Sequence, residues 1–127
     1  MIDQVVQPLY TVKVTEVGKE VPLFAEEEMM VLFNEDAPPE LRDICVLHSS
    51  DELSVPLQVG DVVLFDQEQY RITAIGDEAN RTLAELGHVT FKFDGCDRPS
   101  LPGTIHLERK AVPNVTVGTV VQIKRYL

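Results

Sequence analysis

The most regular stretch of the chain is His88-Val89-Thr90-Phe91-Lys92-Phe93-Asp94-Gly95, in which polar and apolar residues alternate until the final glycine. Side chains along a β-strand point alternately to the two faces of a sheet, so the pattern predicts a strand. Val89, Phe91 and Phe93 would face a core, with the polar residues between them on the outside. This stretch therefore indicates a β fold, in which other segments must supply the neighbouring strands.

Seven further segments have apolar patterns of strand length, and turns containing Gly, Pro, Asn or Asp separate many of them. They span residues 10–15, 29–33, 44–48, 62–65, 70–75, 104–108 and 117–123. The segment 44–48 is apolar on both faces before its histidine, which is typical of a strand covered on two sides.

Helical signals are few. Residues 80–86 form the best helical segment, with Asp77 or Asn80 as N-cap and Gly87 just past the C-terminus. Pro38-Pro39 is compatible with the start of about one helical turn. Seven to eight short strands with one short helix predict an all-β fold, a small β-barrel or sandwich, in a single domain covering residues 1–127.

The composition favours a globular domain with an acidic surface. The chain has 127 residues, 44% of them hydrophobic, and a formal net charge of −10. Residues 1–60 contain 12 Asp and Glu against 3 Lys and Arg, which argues against a nucleic-acid partner because such a partner requires a basic surface. No signal peptide and no apolar run near ~20 residues is present, so we expect a soluble, intracellular protein without membrane insertion.

The two cysteines, Cys45 and Cys96, are expected to be buried, reduced packing residues without a redox role, as in most intracellular proteins with a core of this size. Cys45 is not expected to act together with His48, because residues three apart on a strand point to opposite faces.

His48 is the leading candidate for chemistry, because it stands at the end of a predicted buried strand and two serines, Ser49 and Ser50, follow it directly. A histidine that accepts a phosphoryl group must be neutral, with one bare nitrogen and its other N–H held by an acceptor. Ser49, Ser50 and the neighbouring backbone could donate hydrogen bonds to the phosphoryl oxygens. On these features alone, a histidine that merely caps a strand is the favoured interpretation. The chain lacks a G-x-x-x-x-G-K loop, so we do not expect it to phosphorylate itself from ATP.

His88 and His106 complete the set of histidines, and each taken alone is predicted to be a surface or partly buried strand residue. Three histidines can hold zinc with one position open for water, but metal motifs use short local separations that are missing here. No metal ion and no other cofactor is therefore predicted.

Four motifs follow one another along the chain. They are Cys45-Val46-Leu47-His48, Tyr70-Arg71-Ile72-Thr73-Ala74-Ile75-Gly76, Glu85-Leu86-Gly87-His88-Val89-Thr90-Phe91-Lys92-Phe93-Asp94-Gly95 and Pro102-Gly103-Thr104-Ile105-His106, with the pair Glu52-Leu53 between the first two. In this order and spacing they resemble the glucitol/sorbitol-specific enzyme IIA component of the bacterial phosphoenolpyruvate-dependent sugar phosphotransferase system (PTS). The likeness runs from about Tyr10 to the C-terminus, and the third motif is its most specific part.

The resemblance implies a cytoplasmic phosphotransferase component that acts during glucitol/sorbitol uptake. In that family a histidine takes phosphate from the phosphohistidine of the carrier protein HPr and passes it to the IIB component, which works beside a membrane-bound transporter. The acceptor position matches His48, and His88 and His106 also match the family and are expected near it as supporting groups, together with Ser49 and Ser50 from the local reasoning above. Some relatives carry a second histidine where this chain has Ser50, which leaves His48 as the single acceptor candidate in its segment.

Two other functions stay open on the residues alone. One is a non-catalytic β-barrel module that binds a ligand or regulates a partner and uses its histidines structurally. The other is a metal-dependent enzyme that uses all three histidines. The edge strands of an incomplete barrel would also favour a homodimer.

Overall fold

The structure is a computed structural model that describes residues 5–127. Its eight strands are β1 Val6–Val17, β2 Met29–Asn34, β3 Cys45–His48, β4 Val62–Phe65, β5 Glu68–Ile75, β6 Val89–Lys92, β7 Thr104–Leu107 and β8 Val120–Tyr126. The helices are α1 Val21–Glu26, α2 Ala79–Leu86 and a 3₁₀ helix at Pro39–Ile44. The all-β prediction is confirmed, and every predicted strand overlaps an observed one.

The strands close into a barrel in the order β1-β3-β2-β6-β7-β5-β4-β8. Two neighbouring pairs, β2 with β3 and β6 with β7, run parallel, and the other pairs are antiparallel. Closure removes the open edges of a sheet, so the strands described here lack the edges from which a homodimer was expected. The homodimer stays a prediction without that support.

The barrel interior is the main hydrophobic core. Phe91 and Phe93 are fully buried there, as the alternation predicts, and Phe65 and Tyr70 pack against them with ring centroids 5.9 Å and 5.0 Å apart, respectively. Fully burying one large apolar side chain contributes about 1.5–3 kcal/mol. The alternating strand at Val89–Lys92 is therefore a central stabilising element of the fold.

A second, smaller core covers the outer face of β2 and β3. Val31, Phe33, Cys45 and Leu47 are buried there, beneath Phe24 of α1 and residues of the 3₁₀ helix. Val46, one position along, belongs to the main core instead. Strand β3 is therefore buried on both faces, as predicted from its sequence.

Helix α1 is an additional helix, since only one was predicted apart from the turn after Pro38. It has six residues and no side-chain N-cap, and it begins at Val21-Pro22. A helix this short has little stability alone, so its packing of Val21 and Phe24 onto the two cores accounts for its presence. No described helix is long and apolar enough to cross a membrane.

The ends of α2 agree with the prediction at one terminus only. Gly87 adopts the left-handed conformation (φ +61°) and caps the C-terminus, as expected. The N-cap is Glu78, without a side-chain hydrogen bond, so the choice of Asp77 or Asn80 was wrong. The Asn80 amide instead exchanges two hydrogen bonds with the backbone of Leu57 (2.7 and 3.2 Å), because a loop lies beside the helix there.

The two cysteines differ in their environment. Both are free. Cys45 is buried in β3, and burial raises the pKa of its thiol to about 11. Cys96 is exposed in the turn after β6, so its prediction as a buried packing residue was wrong.

Candidate functional site

His48 is the last residue of β3 and lies between two strands, with Val14 of β1 and Asn34 of β2 as its pairing partners. Its exposed fraction is 0%. The Tyr10 ring meets the imidazole edge to face, with centroids 6.3 Å apart. Burial, reinforced by the negative charge of Asp51, raises the pKa of Tyr10 to about 12, so this phenol stays neutral beside the histidine.

Both ring nitrogens of His48 face main-chain carbonyl oxygens. Nδ1 lies 2.7 Å from the oxygen of Ser49, and Nε2 lies 2.8 Å from the oxygen of Gly87. A neutral imidazole has one N–H and can donate to only one of these carbonyls, whereas a doubly protonated ring donates to both. In the neutral ring, one of the two contacts therefore sets a nitrogen lone pair against the lone pairs of a carbonyl oxygen.

The Ser49 carbonyl belongs to a residue that two hydrogen bonds connect to β1. The backbone N–H of Ser49 donates to the Lys13 carbonyl (2.9 Å), and the backbone N–H of Lys13 donates to the Ser49 hydroxyl oxygen (2.9 Å). These bonds tie Ser49 to β1 and leave its hydroxyl hydrogen available to donate. Ser50, the next residue, is exposed.

Gly87 approaches the His48 ring so closely that no side chain fits. A Cβ atom on Gly87 would lie 2.6 Å from Cε1 of His48 and 3.1 Å from Nε2. Sequence reasoning identified Gly87 only as a helix cap. The motif Gly87-His88 contained the glycine, but nothing local to it indicates contact with a residue in β3.

Asn34 is a second residue that sequence reasoning missed. It pairs with His48 across β2 and β3, and its Cβ is 3.3 Å from the position that a Gly87 side chain would occupy. Its Oδ1 accepts a hydrogen bond from the Asp36 backbone N–H (2.9 Å), which orients the amide. Within residues 5–127 the amide N–H₂ of Asn34 makes no hydrogen bond, so the residue that pairs with His48 has a donor available.

The structure places the backbone of His88 beside the residue that contacts His48, whereas His106 lies elsewhere. His88 follows Gly87 directly and stacks on Phe33, with centroids 4.6 Å apart. His106 is 1% exposed and bonds to Asp94 and Ser100, in a separate cluster. Its prediction as a surface or partly buried residue was wrong, because Asp94 and the turn after β6 cover this face of β7. The three histidines do not form a metal-ligand cluster among the described residues.

The pH dependence of stability is expected to reflect His88. Burial lowers its pKa from 6.5 in the folded protein, so below about pH 6.5 the unfolded chain takes up a proton that the folded protein refuses. Stability is thus unaffected by His88 above this pH and falls as the pH drops below it. Urea denaturation from about pH 7.5 to about pH 5.5 should show a smaller loss for His88→Phe, which keeps the stack on Phe33 but cannot titrate. Equal losses in the two proteins would contradict this assignment.

Comparison with known proteins places the chain in one family of components of a sugar transport system. Residues 9–122 match the family model for the PTS system glucitol/sorbitol-specific IIA component. The chain is 32% identical over 116 residues to the PTS system glucitol/sorbitol-specific EIIA components of Shigella flexneri and of Escherichia coli (strain K12). Each match covers 91% of this chain and 94% of the relative.

A solved structure shows the same architecture. It is the crystal structure of the PTS system IIA component from Enterococcus faecalis V583, 31% identical to this chain with a TM-score of 0.77. The match covers 93% of this chain and 99% of that one. The similarity to this structure, in both sequence and fold, therefore extends over almost the whole chain.

Proposed function

The chain belongs to the family of glucitol/sorbitol-specific IIA components of the PTS, and on this premise we propose that His48 accepts a phosphoryl group and passes it on. Membership of the family gives the chain a phosphotransfer role in this system. One observation carries the choice of His48: its ring ends a buried strand with both nitrogens on main-chain carbonyls, whereas His106 is paired with a carboxylate.

Nε2 is the proposed nucleophile. The Nδ1–H of neutral His48 donates to the Ser49 carbonyl, which β1 holds in place, and this bond fixes the tautomer. Nε2 then attacks phosphorus in line, and the new N–P bond forms as the N–P bond of the donor phosphohistidine breaks. The donor nitrogen keeps the electron pair of the broken bond.

Access to Nε2 requires the Gly87 carbonyl to move. In the proposed tautomer this oxygen faces a lone pair at 2.8 Å, so the contact is repulsive once His48 is neutral. The turn that carries it, residues 84–86 at the end of α2, is exposed on its outer side. The arriving donor protein would displace this turn and so expose Nε2 of His48. The phosphoryl group would then occupy the place of the Gly87 carbonyl oxygen.

Two residues adjoining His48, Ser49 in the chain and Asn34 across the strands, carry donors that suit the phosphoryl oxygens. The Ser49 hydroxyl hydrogen is unused by its contact with Lys13, and Asn34 pairs with His48 and has its Cβ close to Gly87. Fixed donors of this kind stabilise the charge of a transferring group. The exposed Ser50 and the partly buried His88 remain proposed supporting groups. His106 is left out of this role because it bonds to Asp94 and Ser100.

The proposed donor is phospho-HPr, and the proposed acceptor is the glucitol/sorbitol-specific IIB component. The transfer would take place in the cytoplasm, where the phosphorylated carrier meets the IIB component beside its membrane-bound transporter. No step of this transfer uses a metal ion or a nucleotide.

Phosphorylation can be tested directly. On incubation with phosphoenolpyruvate, enzyme I and HPr, the protein should acquire one acid-labile phosphate that mass spectrometry maps to His48. His48→Gln should take up none, because glutamine has no nucleophilic nitrogen. His88→Gln is the matched control, since it removes the neighbouring imidazole and should still reach full labelling at the endpoint.

The same labelled sample identifies the nitrogen and the acceptor. With ¹⁵N-labelled histidine, phosphorus coupling should appear at Nε2, and addition of the IIB component should discharge the label. Absence of label on the unmodified protein, or undiminished label in His48→Gln, would overturn the proposal.

A further inference from the structure

A second cluster of reactive side chains lies apart from His48, at the end of β6 and on β7. One ligand atom from each of Asp94, Cys96 and His106 lies within 4.8 Å of the other two. Among the described residues this is the one cluster of three such groups. Nothing in the proposed phosphotransfer at His48 uses it.

The turn after β6 assembles this cluster. Gly95 has φ +68°, which reverses the chain so that Asp94 and Cys96 meet: Oδ1 of Asp94 accepts the backbone N–H of Cys96 at 3.1 Å. The same Oδ1 lies 2.9 Å from Nδ1 of His106, which is buried on the outer face of β7. Cys96 is exposed, so the cluster is open to solvent on one side.

The chemistry of the three groups matches one class of ligand. A thiolate, an imidazole and a carboxylate together form the mixed sulfur, nitrogen and oxygen set that binds Zn²⁺. Zn²⁺ in tetrahedral coordination keeps its ligand atoms about 3.3–3.8 Å apart. The Asp94 Oδ1 to His106 Nδ1 distance of 2.9 Å is slightly shorter than this range, and the other ligand atoms lie within 4.8 Å of one another, so modest side-chain movements would bring the three groups onto one ion.

From this geometry we propose that Asp94, Cys96 and His106 form a binding site for a divalent transition-metal ion of the Zn²⁺ class. The ion would bind Nδ1 of His106, on the side of the ring that faces Asp94, and water would take the fourth position. Three protein ligands and one exchangeable position allow the ion to enter from the exposed side of Cys96.

Metal binding moves two protons. Nε2 of His106 now accepts the backbone N–H of Ser100 (3.2 Å), so neutral His106 carries its proton on Nδ1 and donates it to Asp94. The ion replaces this proton at Nδ1, the imidazole proton moves to Nε2, and the Cys96 thiol releases its proton to solvent. The Ser100 N–H then faces another N–H and must turn away, which couples the ion to the loop around Ser100.

Cobalt provides a direct probe of the sulfur ligand. Titration of the reduced full-length protein with Co²⁺ should give one equivalent bound, with a thiolate-to-metal charge-transfer band and the visible bands of tetrahedral cobalt. Zn²⁺ should displace the Co²⁺ and shift the Ser100 amide signal in a ¹H–¹⁵N spectrum.

Two cysteine variants separate the site from nonspecific binding. Cys96→Ser should lose the charge-transfer band and bind Zn²⁺ about 100-fold more weakly, since the loss of even an outer partner of a ligand commonly costs about 10–100-fold. This substitution is exposed and should leave the fold intact. Cys45→Ala removes the other thiol and should keep the band. No bound Co²⁺ in the unmodified protein, or a band that persists in Cys96→Ser, would overturn the proposal.

Discussion

Gly87→Ala is expected to destabilise the protein by about 2–5 kcal/mol, as the sum of backbone strain and overpacking. The new methyl group would lie 2.6 Å from Cε1 of His48, and the left-handed backbone at φ +61° adds its own strain. The ring cannot retreat easily, because β1 and β2 flank β3 and Tyr10 packs against the imidazole. Urea denaturation gives the change in free energy of unfolding, and the phosphoenolpyruvate assay should show that His48 is no longer labelled.

Gly118→Ala is the matched control for this variant. Gly118 also has a positive φ (+98°), but a Cβ there would meet nothing within 4 Å. Backbone strain alone should then cost about 1–2 kcal/mol, with labelling of His48 unchanged. Similar losses in the two variants would show that the approach of Gly87 to His48 has no energetic consequence.

Asp61→Ala is expected to cost about 3–5 kcal/mol, which is typical of removing one partner of a buried ion pair. Asp61 is 3% exposed, and its two carboxylate oxygens accept hydrogen bonds from Arg125 Nε (2.8 Å) and Nη2 (2.9 Å). It also accepts the backbone N–H of Gln58 at 2.7 Å. The substitution would leave the Arg125 guanidinium and the Gln58 N–H without this acceptor at the junction of β4 and β8.

A surface pair provides the comparison for Asp61. Asp43 lies 3.5 Å from Lys19, and both side chains are largely exposed. Asp43→Ala should therefore change the free energy of unfolding by less than about 1 kcal/mol. If chemical denaturation gave equal losses in the free energy of unfolding for Asp61→Ala and Asp43→Ala, the buried Asp61–Arg125 pair would not stabilise the fold more than a surface pair does.

The sequence predicts the strands well because their signal is local. Alternation at Val89, Phe91 and Phe93 reports directly which side chains face the core, and the double burial of β3 follows from its unbroken apolar run. Helix α1 escaped prediction because six residues are too few to display a helical period. Its position depends on packing that only the folded chain provides.

The candidate site was predictable only in part, because only some of its residues are marked by their neighbours in the sequence. His48 is prominent in the sequence because its own neighbours are unusual. Gly87 and Asn34 are distant along the chain and reach the ring through the barrel topology. Likewise, the burial of His106 and its meeting with Cys96 depend on a turn whose path no periodic pattern encodes.

The closing strand of the barrel has a consequence for how the chain folds. Strand β8 pairs with both β1 and β4, and its partners in β1 begin at Val6, near the other end of the chain. Synthesis proceeds at about 5–20 residues per second. Until β8 leaves the ribosome, β1 and β4 therefore each have one edge whose backbone groups are unpaired. Contacts of such long range slow folding, and this interval is when a nascent chain would be most prone to pair with another copy.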